Sequence, residues 1–200
     1  MELDGTDHLF FAGDTRRMLD EVEELLTGRP PIEKVERILA TVLFVDIVDS
    51  TKHASELGDG AWRDVLERSS RAWRREVERE GGTFVKSTGD GLLATFDGPS
   101  RAARAALAIR DAAAAIDIQA RAGIHTGECE RIDDDIAGIA VHIASRVEGE
   151  AQPGAVAATS TVRDLSIGSG LRFDEIGERS LKGVPGTWSL FSVTGPDSGG

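Results

Sequence analysis

The chain alternates long apolar segments with segments of helical periodicity, and this alternation predicts its elements. Thr41 to Val48 is almost continuously apolar, which indicates a strand that is buried on both faces. Asp59 to Glu80 carries apolar side chains at helical spacing, and the pair Gly81-Gly82 ends that helix. Its inward positions are Trp62, Leu66, Trp73 and Val77. A buried strand followed by a long amphipathic helix is therefore expected.

Shorter apolar segments after residue 82 predict the remaining strands and helices. Thr83 to Ser87 and Leu92 to Phe96 indicate two strands, joined by an Asp-Gly turn that is typical of hairpins. The later elements are predicted at Ser100 to Ala115 (helix), Arg121 to Thr126 (strand), Gly138 to Glu150 (helix), Ala155 to Ala158 (strand), from Thr161 (short helix), Leu171 to Glu175 (strand) and Trp188 to Val193 (strand). The βαββαβ order predicts an α+β, ferredoxin-like core, with a mixed, mainly antiparallel sheet and flanking helices.

The first 39 residues are predicted to form a separate segment. Asp14 to Leu26 has the apolar spacing of a helix, and Gly28 with Pro30-Pro31 ends it. Ile32 to Leu39 is interpreted as a second short helix or a linker. We therefore expect an N-terminal helical segment at residues 1–39, a main domain at residues 40–194 and a frayed tail at residues 195–200.

Composition and charge narrow the classes of function. The chain has 200 residues and a formal net charge of −12, which argues against a nucleic-acid partner because such binding uses a basic face. The single cysteine, Cys129, excludes an internal disulfide and favours a reducing compartment. No apolar segment approaches the length of a membrane span. These features predict a cytoplasmic globular protein.

Two aspartates are the leading candidates for a metal site. Asp46 interrupts the buried strand, and Asp90 lies in the turn Lys86-Ser87-Thr88-Gly89-Asp90-Gly91, 44 positions later. A lone buried carboxylate is costly unless it is paired or bound to metal. Each aspartate alone is well explained as a strand-end or turn residue. Together, on adjacent strands, they predict a site for a divalent cation, since Mg²⁺ favours one or two carboxylates plus substrate phosphates.

The turn after Asp46 and a later helix supply candidate phosphate contacts. Val48-Asp49-Ser50-Thr51 precedes a helical segment, so its free backbone N–H groups are candidates to hold phosphates. On the later helix, Ile139, Ile143 and Val147 recur every four residues and are expected to face the core. His142 and Arg146 then share a neighbouring face, where an arginine could bind a phosphoryl group with two hydrogen bonds.

These motifs together resemble the class III nucleotidyl cyclase homology domain. The resemblance covers roughly Ala40 to Val193, and the order and spacing of several motifs make it specific. The segments that carry it are Phe44-Val45-Asp46-Ile47 with Ser50-Thr51, Lys86-Ser87-Thr88-Gly89-Asp90-Gly91, Asp135-Ile136-Ala137-Gly138 and Val141-His142-Ile143-Ala144-Ser145-Arg146. Without this wider pattern, Lys86 would be an ordinary surface lysine and Asp135 part of a solvated turn.

The resemblance implies roles for the metal-binding and phosphate-binding residues. Asp46 and Asp90 would hold two divalent ions per site, Mg²⁺ or Mn²⁺, with help from the carbonyl of Ile47. Arg146 matches the arginine that stabilises the transition state, and Lys182 matches the lysine that contacts the triphosphate.

The resemblance also implies how the purine is read. Lys86 and Asp135 match the purine-reading positions of adenylyl cyclases, where lysine serves adenine N1 and aspartate accepts from the adenine amino group. Guanylyl cyclases usually carry Glu and a small residue such as Cys there. For guanine both contacts would be mispaired, which gives strong discrimination.

One position departs from the family pattern. The family often has an asparagine, which orients the ribose or the transition state, where this chain has His142. Histidine can donate one hydrogen bond from a similar place, but its reach and charge differ. The departure bears on turnover rate and pH dependence more than on substrate binding.

The expected function is an adenylyl cyclase that converts ATP to 3′,5′-cyclic AMP and pyrophosphate by two-metal catalysis, with a role in signal transduction. In the family, Asp46 and Asp90 come from one subunit and the purine-reading and phosphate-binding residues come from the other. A symmetric homodimer would therefore carry two equivalent sites. The alternatives are a guanylyl cyclase, a catalytically weak dimerisation or sensing module, and a diguanylate cyclase, whose Gly-Gly-Asp/Glu-Glu-Phe turn is absent.

A second, fainter resemblance concerns the N-terminal segment. Asp7-His8-Leu9 before the helix Asp14 to Leu26 is similar to the tail of an α/β-hydrolase domain, whose triad histidine precedes a final helix. The chain contains no Gly-x-Ser-x-Gly elbow, so hydrolase activity is not expected. A linker helix for dimerisation or signal transfer is the preferred interpretation.

Overall fold

The structure is a computed structural model that describes Val22, Leu25, Leu26 and residues 36–195. Its strands are β1 (Glu36–Ile47), β2 (Thr83–Ser87), β3 (Leu92–Phe96), β4 (Ala120–Ile132), β5 (Asp135–Ala137), β6 (Val156–Thr159), β7 (Arg172–Arg179) and β8 (Trp188–Thr194). Its helices are α1 (Ser50–Leu57), α2 (Asp59–Arg79), α3 (Pro99–Ala114), α4 (Ile139–Glu150) and α5 (Ser160–Leu165). The predicted strands and helices occur in the predicted order in this part of the chain, and the structure adds β5, which the sequence did not predict.

The strands form one sheet in the order β2-β3-β1-β4-β6-β8-β7, and β5 pairs with β4 beside this path. The pairing of β4 with β6 is parallel, whereas the other pairings are antiparallel. The predicted fold class, an α+β fold with a mixed and mainly antiparallel sheet, is therefore confirmed.

Strand β1 lies in the middle of the sheet and is buried on both faces. Leu43 and Val45 belong to a core with the tryptophans of α2 and the alanine-rich face of α3. Ala40 and Val42 belong to a second core with Ala140 of α4. Because successive strand residues point to opposite faces, α2 and α3 cover one face and α4 covers the other. This arrangement explains the continuous apolar segment from which the strand was predicted.

Two sequence predictions are wrong in detail. Residues Glu36 to Leu39, predicted as helix or linker, belong to β1 and pair with β4, with Leu39 opposite Glu128. Ile139 was expected in the core, but it is 53% exposed, while Ile143 and Val147 are buried. Each four-residue step turns the helix by about 40° beyond a full turn, so the first residue of the series leaves the buried face.

The N-terminal predictions lie largely outside the described residues. Val22, Leu25 and Leu26 are helical, as predicted for Asp14 to Leu26. The rest of that helix, the segment Asp7-His8-Leu9 and residues 196–200 are not among the described residues, and the predicted boundary at residue 40 stays a prediction. Among the helices of the described residues, none combines the length and the hydropathy that crossing a membrane demands.

Candidate active site

The structure brings Asp46 and Asp90 together, as predicted. Asp46 is the next-to-last residue of β1, and its neighbour Val45 pairs with Leu92, so the turn that carries Asp90 lies beside it. Burial, and then the Asp90 carboxyl, raise the pKa of Asp46 above its ordinary value. A Cβ atom on Gly91 would lie 2.0 Å from the Val45 carbonyl oxygen. Only glycine therefore lets the turn approach β1 this closely.

The two carboxyl groups suit a divalent cation that is shared with a substrate. Among the residues that the structure describes, no group of three or more His, Cys, Asp or Glu side chains forms a complete metal cage. Two neighbouring carboxylates, one of which lines an open cleft, instead match the way Mg²⁺ is held between a protein and phosphates. The neighbouring Asp90 carboxyl raises the cost of charging Asp46, and a bound cation would relieve that cost.

A cleft of about 730 Å³ opens at this end of the sheet. All four residues of the predicted phosphate-binding turn, Val48 to Thr51, line it, and so do Asp46, Ile47 and Arg121. Asp49 adopts φ 55° and ψ 33° and turns the chain from β1 into α1, a left-handed conformation that aspartate tolerates better than most residues. The Val48 N–H, predicted to be free, donates to the Gln119 carbonyl oxygen over 2.8 Å. The N–H groups of Ser50 and Thr51 at the start of α1 have no partner within the helix, and both residues line this cleft.

Arg121 is a site residue that the sequence analysis did not identify. It lies opposite Asp46 in the β1–β4 register, and its Nη2 donates to Asp46 Oδ2 over 3.0 Å. Its Nε forms an ion pair with Glu148 of α4. The available signal was a charged side chain among the apolar or small residues Ala120 to Ile124 that begin β4. Its place beside Asp46 follows only from the register of the sheet.

The predicted purine-reading residues also meet. Lys86 of β2 forms an ion pair with Asp135, the first residue of β5, although 49 positions separate them. Their side chains are 50% and 47% exposed. The backbone N–H of Ile136 donates to the second Asp135 oxygen over 2.8 Å. The hydrogen bond from Lys86, and then that from Ile136, hold the pKa of Asp135 below its ordinary value.

The remaining predicted residues lie on and beside α4. His142 and Arg146 are both exposed on this helix, and Arg146 Nε donates to the Lys182 carbonyl oxygen over 3.1 Å. None of these three residues lines the cleft that contains Asp46, and neither Lys86, Asp135 nor Asp90 lines it. One chain therefore presents the candidate residues as two groups: those at the cleft end of β1, with Asp90 in the adjoining turn, and those elsewhere on the surface.

The fold agrees with the comparison to known families. Residues 32–195 match the model of the adenylate and guanylate cyclase catalytic domain, and the chain belongs to this family. The resemblance inferred from the motifs is therefore confirmed. Family membership fixes the class of the protein, a nucleotide cyclase catalytic domain, and leaves the choice between adenylate and guanylate substrates open.

Individual relatives are similar at low identity. An uncharacterized protein of Mycobacterium tuberculosis is 31% identical over 124 residues, which cover 61% of this chain and 33% of that protein. A pH-sensitive adenylate cyclase of the same species is 30% identical over 167 residues, which cover 76% of this chain and 40% of that protein. The chain thus spans about a third of the length of the curated relatives it matches.

A solved structure supports the same assignment. The adenylate/guanylate cyclase/hydrolase from Silicibacter pomeroyi has a TM-score of 0.65 and 31% identity to this chain, and the match covers 81% of this chain and 99% of that one.

Proposed function

We propose that this chain is the catalytic domain of an adenylate cyclase, which converts ATP to 3′,5′-cyclic AMP and pyrophosphate. The observation that carries the choice of ATP is the ion pair between Lys86 and Asp135, which are half-exposed side chains of two different strands. The adenylate cyclase name of one relative supports the same choice.

Lys86 and Asp135 match the hydrogen-bonding edge of adenine. The Lys86 ammonium can donate to adenine N1, and the Asp135 carboxylate can accept from the amino group at position 6. Guanine presents an N–H donor and a carbonyl acceptor at these two places, so a donor would face a donor and an acceptor would face an acceptor. Mispairing of this kind discriminates strongly between substrates.

The residues of the cleft, together with Asp90 in the adjoining turn, fit the triphosphate and its cations. Asp46, Asp90 and the carbonyl of Ile47 would hold two divalent ions, and the N–H groups of Asp49 to Thr51 would hold phosphate oxygens. Divalent metal bound there, Mg²⁺ or Mn²⁺, supplies Lewis-acid activation of the ribose 3′-hydroxyl and neutralisation of phosphate charge.

The reaction forms one bond and breaks one bond at the α-phosphorus. The ribose 3′-oxygen attacks in line, the bond to the bridging oxygen of the β-phosphate breaks, and pyrophosphate leaves. No side chain is assigned as the base, and the 3′-hydroxyl proton passes to solvent or to a substrate phosphate. Arg146 and Lys182 stabilise the charge that builds on the phosphates in the transition state, and His142 orients the ribose.

The separation of the two groups of residues supports a site that is shared between two chains. The cleft with Asp46 does not include Lys86, Asp135 or Arg146, and yet all of them are needed around a single nucleotide. A second copy related by two-fold symmetry would bring its own Lys86, Asp135 and Arg146 to this cleft and would produce two equivalent sites. A monomer is then inactive.

The test is product formation from ATP and from GTP, each with Mg²⁺ and with Mn²⁺, over a dilution series of the protein. Cyclic AMP from ATP, abolished by Asp46→Asn and kept by Asp174→Asn at an exposed strand position, is the expected result. Cyclic GMP from GTP alone would contradict the purine assignment. Full specific activity at dilutions that leave only monomer would contradict the shared site. No product at dimer-forming concentrations would favour a non-catalytic module.

A further inference from the structure

We propose that a divalent cation must displace the Arg121 guanidinium to bind Asp46, and that Glu148 is the positioning residue that keeps Arg121 paired once it has left. This inference rests on the proposed role of Asp46 and Asp90 as metal ligands. It adds the Arg121 guanidinium to the site as a positive charge that occupies Asp46 before metal binds. It also assigns a role to Glu148 of α4, which lies outside the motifs that carry the family resemblance.

Arg121 bridges two carboxylates with different nitrogens. Its Nη2 donates to Asp46 over 3.0 Å, and its Nε faces Glu148. The three side chains are largely withdrawn from solvent, with 33% of Arg121, 29% of Asp46 and 12% of Glu148 exposed. The planar guanidinium fork suits such a bridge, whereas a lysine has only one charged nitrogen to share.

The packing of α4 on β4 brings Glu148 to this position. A Cβ atom on Gly123 would lie 2.0 Å from the Glu148 backbone nitrogen and 2.5 Å from its Cα atom. Residues 121 and 123 point to the same face of β4 because side chains alternate along a strand. The helix therefore rests directly on the backbone at Gly123, and Glu148 lies beside Arg121 on that face.

The charges around Asp46 then favour an exchange of cations. Arg121 is a positive group beside Asp46. Two negative groups lie near this pair: Asp90 interacts with Asp46, and Glu148 interacts with Arg121. A metal ion on Asp46 would meet repulsion from a guanidinium that stays on the same carboxylate. Glu148 gives Arg121 a second anionic partner, so that the arginine can leave Asp46 without becoming an unpaired charge in a partly buried place.

This exchange of cations predicts how two substitutions change the affinity for Mn²⁺. Arg121→Gln removes the competing cation and should tighten Mn²⁺ binding. Glu148→Gln leaves Arg121 with Asp46 as its remaining carboxylate and should weaken Mn²⁺ binding by about tenfold, which is the usual scale for groups that orient metal ligands. In the double variant the effect of Glu148→Gln should nearly vanish, because the arginine through which it acts is gone.

The experiment measures Mn²⁺ binding to the purified chain without nucleotide, from the electron paramagnetic resonance signal of free Mn²⁺. Thermal unfolding of every variant checks folding, and Arg121→Met replaces Arg121→Gln if the latter does not fold, since it also removes the competing positive charge. The matched control is Glu150→Gln, the same change on the same helix at a residue paired with Arg179 over 3.4 Å. It should leave Mn²⁺ affinity within about twofold, because such exposed pairs contribute little.

Three results would overturn the proposal. Equal Mn²⁺ affinity in the wild type and in Glu148→Gln would show that Glu148 does not control the site. A tenfold loss that persists unchanged when Arg121 is replaced would show that Glu148 acts by its own charge. Wild-type Mn²⁺ binding that survives Asp46→Asn would instead refute the metal ligands of the proposed function, and this inference with them.

Discussion

The buried His125 makes the stability of this domain sensitive to acid. Its side chain is 5% exposed, its Nδ1 lies 3.0 Å from Thr159 Oγ1, and its ring meets the Trp188 ring edge to face at 5.5 Å. Burial lowers the pKa of His125 from 6.5 to about 4. The folded state therefore holds the neutral imidazole, whereas the unfolded chain takes up a proton as the pH falls below 6.5.

The magnitude follows from proton linkage. Above pH 6.5 the imidazole is neutral in both the folded and the unfolded state, so the pKa difference does not change the free energy of unfolding. As the pH falls from 6.5 to about 4, the unfolded state binds the proton preferentially, so the free energy of unfolding declines by about 2 kcal/mol at pH 5 and by about 3 kcal/mol in the limit. This group contributes no further change below pH 4.

Urea unfolding at pH 7.5 and at pH 5 measures this effect. His125→Gln keeps a polar side chain for Thr159 and removes the titration, so its loss of unfolding free energy between the two pH values should be about 2 kcal/mol smaller than that of the wild type. His53→Gln, at a histidine stacked on Trp62 at the surface of α1, is the control and should follow the wild type. An identical pH dependence in the wild type and in His125→Gln would refute the reasoning.

Three further predictions concern the site. The double exchange Lys86→Glu with Asp135→Cys should lower kcat/KM for ATP by roughly 10³-fold and raise activity toward GTP, since the hydrogen-bonding pattern is inverted; measuring both cyclic nucleotides checks it. Gly91→Ala places a methyl group against the β1 backbone and should cost about 1–3 kcal/mol of unfolding free energy and weaken Mn²⁺ binding. Mixing inactive Asp46→Asn and Arg146→Ala chains should restore about a quarter of wild-type activity, because half of the dimers are mixed and each has one intact site.

Each of these predictions has a clear contrary result. Loss of activity with both nucleotides would leave the purine pair without support. Gly60→Ala, on a helix where nothing lies within 4 Å of the added methyl group, is the control for Gly91→Ala, and equal stability of the two variants would contradict the close approach to β1. An inactive mixture of chains that still dimerise would contradict the division of the site between subunits.

The sequence alone determined those features that rest on local pattern. The continuous apolar segment predicted a doubly buried β1, and the hairpin strands fell at Thr83–Ser87 and Leu92–Phe96, as predicted. The spacing of the motifs was sufficient to identify the family, because chemistry requires particular residues at particular turns. The same motifs predicted that Asp46 acts together with Asp90, and Lys86 together with Asp135.

Other features were decided only by the tertiary structure. Residues Glu36 to Leu39 are strand because β4 is long enough to pair with them. Their own sequence, two charged residues followed by two apolar ones, does not indicate that pairing. Arg121 lies at Asp46 because the sheet register places it there, and Gly123 lets α4 bring Glu148 to it. Long-range pairing and close packing set these contacts, and neither leaves a periodic signal in the chain.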